Sequence, residues 1–214
     1  MNSPMTTWGV GDYPLMAHHL QSAAIAAVDA AAVEPGDRVV DIATGTVNAA
    51  LLAAERGCRV VGIDFETELL RLAEERALGT GSDIEWLWGD LEALLPPDQS
   101  ADVVLSVFGA MYAAEHVIAA RELARVAAAG ARVVLASWAP GSVLPTMGQI
   151  LNAYLPPPPI GSGPPSRWGD PAALASMLEP HRLRLTATSS GRVTLRFLHP
   201  KRRPTSWLAP RATL

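Results

Sequence analysis

Short apolar runs and amphipathic stretches alternate along most of the chain. Residues 38–42, 58–63, 84–88, 102–106 and 133–138 read as strands, each brief and rich in Val, Ile, Leu or Trp. Between them lie helical patterns. Asn48 to Arg56 is a helix that Gly57 ends. Residues 66–78 set Leu69, Leu70, Leu72 and Ala73 at helical spacing with charges between, and a third helix covers 114–127, followed by a turn at Gly130. Ahead of the first strand, Pro14 suits the first turn of a helix running to about Ala32, with Met16, Leu20, Ala23 and Ala27 on one face. Strands and helices in alternation predict an α/β chain, a doubly wound and mostly parallel sheet with helices on both faces.

Past residue 138 the pattern changes. A short helix over 148–154 gives way to prolines at 156–159 and 164–165, a stiff connection. Another helix follows over 171–178. Arg182 to Thr188 and Arg192 to Phe197 alternate polar and apolar and are joined by Ser189-Ser190-Gly191, so they predict a hairpin or one bent strand. Residues 199–214 form a basic, Pro-bearing tail without periodicity.

Length and composition narrow the classes. The 214 residues, half of them apolar, suit one domain with a sizeable core. Cys58 stands alone, which excludes a disulfide framework and a cysteine metal cluster and predicts a reducing compartment, the cytoplasm. No apolar run approaches the roughly 20 residues of a membrane span, and the first residues lack a signal-peptide pattern. No metal site is expected, His18-His19 being too short a cluster. From Pro180 onward there are eight Arg or Lys and no acid, against 21 acidic residues before it. Arg182, Arg184, Arg192 and Arg196 alternate with apolar residues, the solvent face of strands, and no aromatic interleaving accompanies them, so nucleic acid is not an expected partner. Arg outnumbers Lys sixteen to one and Ala is abundant, which points to a high-GC bacterial genome.

The chemistry concentrates in Val39 to Ala50, a strand ending in Asp41-Ile42, a small-residue turn Ala43-Thr44-Gly45-Thr46, and the start of a helix. A strand, turn and helix of this kind present backbone N–H groups and the positive end of a helix dipole to a ligand. A dinucleotide site opens its loop with Gly so that pyrophosphate lies against bare backbone. Here a carboxylate stands at the strand end, which suits a ligand carrying an amino or sulfonium group beside an adenosine. Asp64 ends the next strand 23 residues on, a placement suited to accepting hydrogen bonds from ribose hydroxyls.

These residues resemble the class I S-adenosylmethionine-dependent methyltransferases, and more narrowly the small-molecule group related to the ubiquinone and menaquinone methylases, whose first motif reads D-x-A-T-G-T-G-N. Asp41, Ala43, Thr44, Gly45, Thr46 and Asn48 match it, and Val47 replaces its last Gly. Gly89-Asp90-Leu91-Glu92-Ala93-Leu94 is similar to the family's G-D-A-E-A-L, Val107 to Tyr112 to its V-F-G-V-M-F, and Trp168-Gly169-Asp170 to its W-G-D. The resemblance implies a Rossmann-like fold, the cofactor S-adenosyl-L-methionine, and methyl transfer to a small, apolar or aromatic metabolite. It implies cofactor contacts at Asp41, Ala43, Gly45, Thr46, Asp64, Phe65, Asp90, Leu91 and Ser106. Asp64 would bind ribose, Phe65 would pack on adenine, and Asp90 would take its amino group. Phe108, Met111, Tyr112, Trp138 and Trp168 would wall the acceptor pocket, partly through an insert spanning 139–180. Chains of this kind share the Gly11-Asp12-Tyr13-Pro14 start, and Tyr13 and His19 on the first helix are candidates for lid, substrate or catalytic contacts.

In two respects the chain departs from the pattern. Val47 is expected to place a branched side chain where backbone should approach the methionine part of the cofactor. Relatives also continue with a helix and a final antiparallel strand where this chain has only its tail, so the resemblance covers about Trp8 to Phe197, within one domain over 1–198 whose sheet is incomplete at its C-terminal part. An uncovered edge predicts a homodimer. Both departures leave open a methyltransferase-like protein that has lost methyl transfer and serves as a natural-product cyclase, an isomerase or a partner-binding protein.

Overall fold

A computed structural model describes residues 13–152, 154 and 163–194. Five parallel strands, β1 (Arg38–Ile42), β2 (Arg59–Asp64), β3 (Ile84–Trp88), β4 (Ala101–Val107) and β5 (Ala127–Ala136), form one sheet in the order β3-β2-β1-β4-β5. The in-register pairs Val40 with Val61 and Val40 with Val104 place β1 at the centre. Parallel strands require crossovers, and the intervening segments supply them as helices. Those are α2 (Asn48–Glu55), α3 (Thr67–Thr80) and α4 (His116–Val126), preceded by α1 (Tyr13–Ala31) and followed by α5 (Val143–Asn152) and α6 (Pro171–Leu178).

Two buried clusters show how the layers are built. Ala24, Val28 and Ala31 of α1, the inner faces of α2 and α3, and Val39, Val60 and Val103 pack on one side of the sheet. On the other side, Val40, Ile42 and Val104 meet Ala119, Ala120 and Leu123 of α4, Trp168, and Leu174 and Met177 of α6. Alternate residues of one strand thus feed opposite cores, the period-2 rule acting in a sheet covered on both faces. The buried face of α1 is Ala17, Ala24, Ala27, Val28 and Ala31, turned about one residue from the face read in the sequence. Among the described residues, no helix is long and apolar enough to cross a membrane.

Differences from the sequence reading gather on the β5 side. β5 begins at Ala127, and its ladder jumps from Ala101–Ala127 to Val103–Arg132, so the turn at Gly130 (φ 79°) is an outward loop inside the strand. The strands expected over 182–188 and 192–197 are absent as far as the described chain runs, to residue 194. Arg182 is left-handed (φ 62°), which turns the chain at the first residue of the alternating run. The alternation is satisfied without a ladder: Leu183 and Leu185 dock on the core while Arg182 and Arg184 stay exposed. Beside them, a groove of about 2770 Å³ runs between β5, α1 and residues 182–193.

Candidate functional site

The turn after β1 inverts the backbone at every second residue. Ala43 (φ 52°), Gly45 (φ 54°) and Val47 (φ 69°) are all left-handed, and only the middle one is Gly. Each L-residue in that conformation costs on the order of 1–2 kcal/mol, so the turn must be held from outside. The Thr44 N–H donates to the Ile63 carbonyl at 2.9 Å, and the Gly45 N–H to Asp64 Oδ2 at 2.8 Å, joining the turn to the end of β2. Asp41 Oδ2 accepts from Thr44 Oγ1 at 2.7 Å and from the Ala50 N–H at 3.1 Å, joining it to α2. Arg76 of α3 reaches across to the Thr46 carbonyl and, at 3.2 Å, to Asn48 Oδ1.

Two sequence expectations change here. Asp41 is 2% exposed and directs one carboxylate oxygen into the turn itself, so part of its task is to shape the loop. Val47, the residue capping α2, is 0% exposed and belongs to the same buried cluster as Ala24, Val28 and Ala50. Its side chain therefore lies in the α1–α2 core and not on the ligand side, because a left-handed backbone at the helix head swings Cβ inward.

At the C-terminal ends of β1 to β4 lies a cleft of about 190 Å³, bordered by Ala43, Asp64, Phe65, Asp90, Leu91, Gly109 and Tyr112. It sits where strand order reverses between β1 and β4, the usual ligand position in open α/β sheets. Its volume is below the ~300–1,000 Å³ of a drug-sized pocket and suits one part of a larger ligand. Asp64, 4% exposed, accepts from the Gly45 N–H with Oδ2 and from the Glu66 N–H at 3.0 Å with Oδ1. Phe65 presents a partly exposed ring. Asp90 is exposed, with Oδ1 accepting from the Glu92 N–H at 2.9 Å. Leu91 is buried at the cleft wall. Ser106 is 1% exposed; its Oγ donates to the Ile42 carbonyl at 2.8 Å and accepts from the Ala110 N–H at 2.9 Å, clamping β1 to β4. Gly109 is required by contact: a Cβ there would lie 2.4 Å from that of Ala43.

Two buried carboxyl groups, Asp64 in the cleft and Asp41 behind it, are held without a cation. Burial pushes the Asp41 carboxyl up to about 7, opposed by its hydrogen bonds from Thr44 and Ala50 and reinforced by nearby Asp64. Burial also raises Asp64, against the N–H groups of Glu66 and Gly45. No cation contributes to either shift. Two desolvated carboxylates lacking an internal counter-charge fit a ligand that brings a sulfonium and an ammonium group, and would repel a pyrophosphate. Acceptor oxygens and an aromatic face beside them suit an adenosine. Among the described residues, no His, Cys, Asp and Glu group could hold a metal ion.

Of the five residues expected to wall an acceptor pocket, three come together. Phe108 stacks on Trp138 with ring centroids 4.1 Å apart and planes at 18°, and Trp138 hydrogen-bonds the Tyr112 phenol. Phe108 is itself left-handed (φ 60°), strain of the kind that concentrates at binding sites. Met111 and Trp168 instead sit in the core, 1% and 2% exposed. Trp168 arrives there because the 3-10 helix Pro165–Gly169 presses on β5's end: a Cβ on Gly169 would lie 2.2 Å from the Trp138 carbonyl oxygen. Asp170 then caps α6, accepting from the N–H groups of Ala172 and Ala173. Tyr13 opens α1, and its side chain lies outside the described residues; His19 lines the groove beside β5 and not the cleft. The sequence reading missed His116, buried at the start of α4 against Trp168. A lone His before a helix carries no sequence signal.

The chain has relatives in sequence and in fold. Residues 40–135 match the family described as a methyltransferase domain. An uncharacterized protein of Mycobacterium tuberculosis is 32% identical over 84% of this chain and 67% of its own length. Demethylmenaquinone methyltransferase of Thermus thermophilus is 39% identical over 53% of each chain. The chain thus spans between half and two thirds of these relatives. Two solved structures share the fold: the putative methyltransferase in complex with the Trm112 activator from Haloferax volcanii, with 21% identity, 86% of this chain and 80% of that one covered, and a TM-score of 0.68; and a SAM-dependent methyltransferase from Aquifex aeolicus, with 19% identity, 86% of both chains covered, and a TM-score of 0.59. With S-adenosyl-L-methionine as its cofactor, the chain belongs to the class I methyltransferases, in the group similar to the menaquinone methylases.

Proposed function

We propose that this protein transfers a methyl group from S-adenosylmethionine to a small apolar or aromatic metabolite. The observation that carries the reading is the juxtaposition, at the C-terminal ends of the strands, of a cleft lined by Asp64, Phe65 and Asp90 and the Phe108–Trp138 stack, with Tyr112 belonging to both. When bound, the cofactor supplies an electrophilic methyl on sulfur. The chain's own part is positional. Asp64 holds ribose hydroxyls, Phe65 and Leu91 border adenine, Asp90 takes the adenine amino group, and the loop from Ala43 to Thr46 approaches the methionine part. Asp41 and Asp64 stabilise positive charge. The aromatic residues hold the acceptor close, in line and away from water.

An apolar aromatic wall favours a small molecule over nucleic acid or protein, and the lone buried Cys58 suits action in the cytoplasm. The reading includes a homodimer across the open β5 edge, for which light scattering at tens of micromolar is the check; a monomer there removes it. Loss of methyl transfer is not favoured, since Val47 occupies the core. Calorimetric titration with S-adenosylmethionine and with its demethylated product tests the cofactor site. Wild type should bind both, and Asp64→Ala should weaken binding by about 1–3 kcal/mol. Equal affinities of wild type and Asp64→Ala would remove the assignment.

A further inference from the structure

The helix that follows β5 turns its apolar side outward. Val143, Met147, Ile150 and Leu151 recur in α5 at three- and four-residue spacing and so share one face; Tyr154, whose N–H donates to the Leu151 carbonyl at 2.9 Å, follows directly. These five side chains are between 49% and 84% exposed. None of the residues of α5 belongs to either buried cluster, and no charged residue lies between Arg132 and Arg167 in the sequence. A helix of 10 residues that includes Pro145 and Gly148 falls below the ~12–15 residues at which isolated helices are marginal in water, so α5 needs a surface to rest on. Contiguous apolar exposure of this kind marks an interaction site.

We infer that the outer face of α5, together with Arg182, Arg184 and Arg192, docks the protein peripherally on an anionic lipid surface. Charge decides the occupant. Val143 and Met147 line the groove beside β5, and so do the three arginines, which are exposed and take part in no ion pair among the described residues. The groove's other charged residues are already matched, Arg125 with Asp98 at 2.8 Å and Arg132 with Asp37 at 2.6 Å. The surplus is therefore positive, and the sequence adds no acid from Pro180 onward. An uncharged apolar helix beside a cationic row supplies the two signals that hold a protein at a membrane interface, insertion among acyl chains and attraction to headgroups. A second copy seated on α5, a contact distinct from the β5 edge, would set the same cations against their own images. A protein partner would need acids in a matching row, whereas an anionic bilayer offers apolar depth and negative charge at every position. Phe108 and Trp138 line the same groove, so the docked protein opens its aromatic wall toward the lipid.

Binding is measured without cofactor or methyl acceptor, so its outcome is independent of the methyl-transfer reading. The full chain is sedimented with vesicles of phosphatidylcholine alone and of phosphatidylcholine with phosphatidylglycerol, at low and high salt. Wild type should bind the anionic vesicles at least about tenfold tighter than the neutral ones, and salt should weaken that preference. Replacing Arg182, Arg184 and Arg192 together by Gln should weaken anionic binding by on the order of a hundredfold, at roughly fivefold for each cation. Ile150→Asp and, as a second variant, Met147→Asp should each weaken it about tenfold or more, because a carboxylate resists insertion. All five positions are exposed, and circular dichroism melts show that each variant is folded. Wild type that ignores anionic vesicles overturns the docking surface. Aspartate variants that bind as tightly as wild type overturn the part given to α5. Light scattering that shows a dimer split by both aspartate variants, with no vesicle binding, gives the face to a second copy and overturns the lipid assignment.

Discussion

Replacing Val47 by Ala and, separately, by Gly measures the strain stored in the cofactor loop. Val47 is fully buried and left-handed (φ 69°, ψ 23°), so each substitution has a packing cost and only Gly relieves the backbone. Truncation to Ala removes two buried carbons at about 0.8 kcal/mol each and leaves a small cavity, about 2–3 kcal/mol in all. Gly loses one carbon more, about 0.8 kcal/mol, and a further 0.5–1 kcal/mol or so to the freedom of the unfolded chain. At an ordinary helical position Gly is therefore about 1.3–1.8 kcal/mol worse than Ala. Val28, equally buried but inside α1, supplies that control. At Val47 the Ala variant retains the left-handed cost of about 1–2 kcal/mol that Gly escapes, so the two variants should be equal within about 0.5 kcal/mol.

Urea unfolding reads the difference as a shift in midpoint at constant slope. Each Val47 variant should also lose about 5–10 °C in Tm, at the roughly 2–4 °C per kcal/mol of a chain this size. Cofactor affinity should stay within about threefold of wild type for both, because a side chain in the α1–α2 core does not touch the cleft. A Gly-to-Ala gap at Val47 as wide as that at Val28 would refute the strain, and tighter cofactor binding by Val47→Gly would refute the placement of the side chain.

Other perturbations probe the cleft and its supports. The raised carboxyl of Asp41 (about 7) makes the folded chain bind a proton that the unfolded chain has released, so its contribution to stability is largest in acid, falls between about pH 4 and 7, and is flat above. Relative to Asp41→Asn, wild type should show that decline in urea titrations, together with cofactor affinity rising up to about tenfold per pH unit as the carboxylate ionises below 7. Gly109→Ala should cost about 1–3 kcal/mol and weaken cofactor binding, since the new methyl meets Ala43 in the loop; unchanged calorimetric affinity would count against the close approach. Arg125→Leu should destabilise by about 2–4 kcal/mol in urea without altering cofactor affinity, because Arg125 pairs with the buried Glu122 at 2.7 Å and holds the Leu94 and Pro96 carbonyls of the loop before β4.

The parallel core was legible in the sequence because both signals it needs are local. β1 and β3 fall on the predicted residues, and each is a short apolar run bounded by turn residues. The cleft was legible through Asp64, Phe65 and Asp90, where strand ends and spacing fix position whatever the rest of the chain does. What failed depends on tertiary direction. Met111 and Trp168 were expected at a pocket wall from the family's motifs, but whether an aromatic or thioether side chain faces ligand or core is decided by how the 3-10 helices seat on the core. Val47 was misplaced because a motif position gives residue type and not backbone hand; its positive φ reverses the side chain's direction. The alternating run after Arg182 carried a strand's periodicity, yet a strand needs a partner edge as well as a pattern, and Leu183 and Leu185 reach the core without one.

The carboxylate at the end of β1 suits this cofactor for a reason beyond attraction. Burial raises both Asp41 and Asp64, and Asp64 adds to the cost of the Asp41 anion, so the pair favours a ligand with two positive centres over one with a single centre. Methyl transfer removes one of those charges, turning a sulfonium into a neutral thioether while the ammonium stays. On the methyl-transfer proposal, the same two groups would therefore hold the demethylated product less firmly than the cofactor, and the weakening would be greatest where the site is driest. A loop of free N–H groups receiving a pyrophosphate would lack that asymmetry, since the phosphate charge does not change on hydride transfer. The turn after β1 spends the N–H groups of Thr44, Gly45 and Val47 on the Ile63 carbonyl, on Asp64 and on its own Thr44 carbonyl, and Asp64 brings its acceptor oxygens to the cleft.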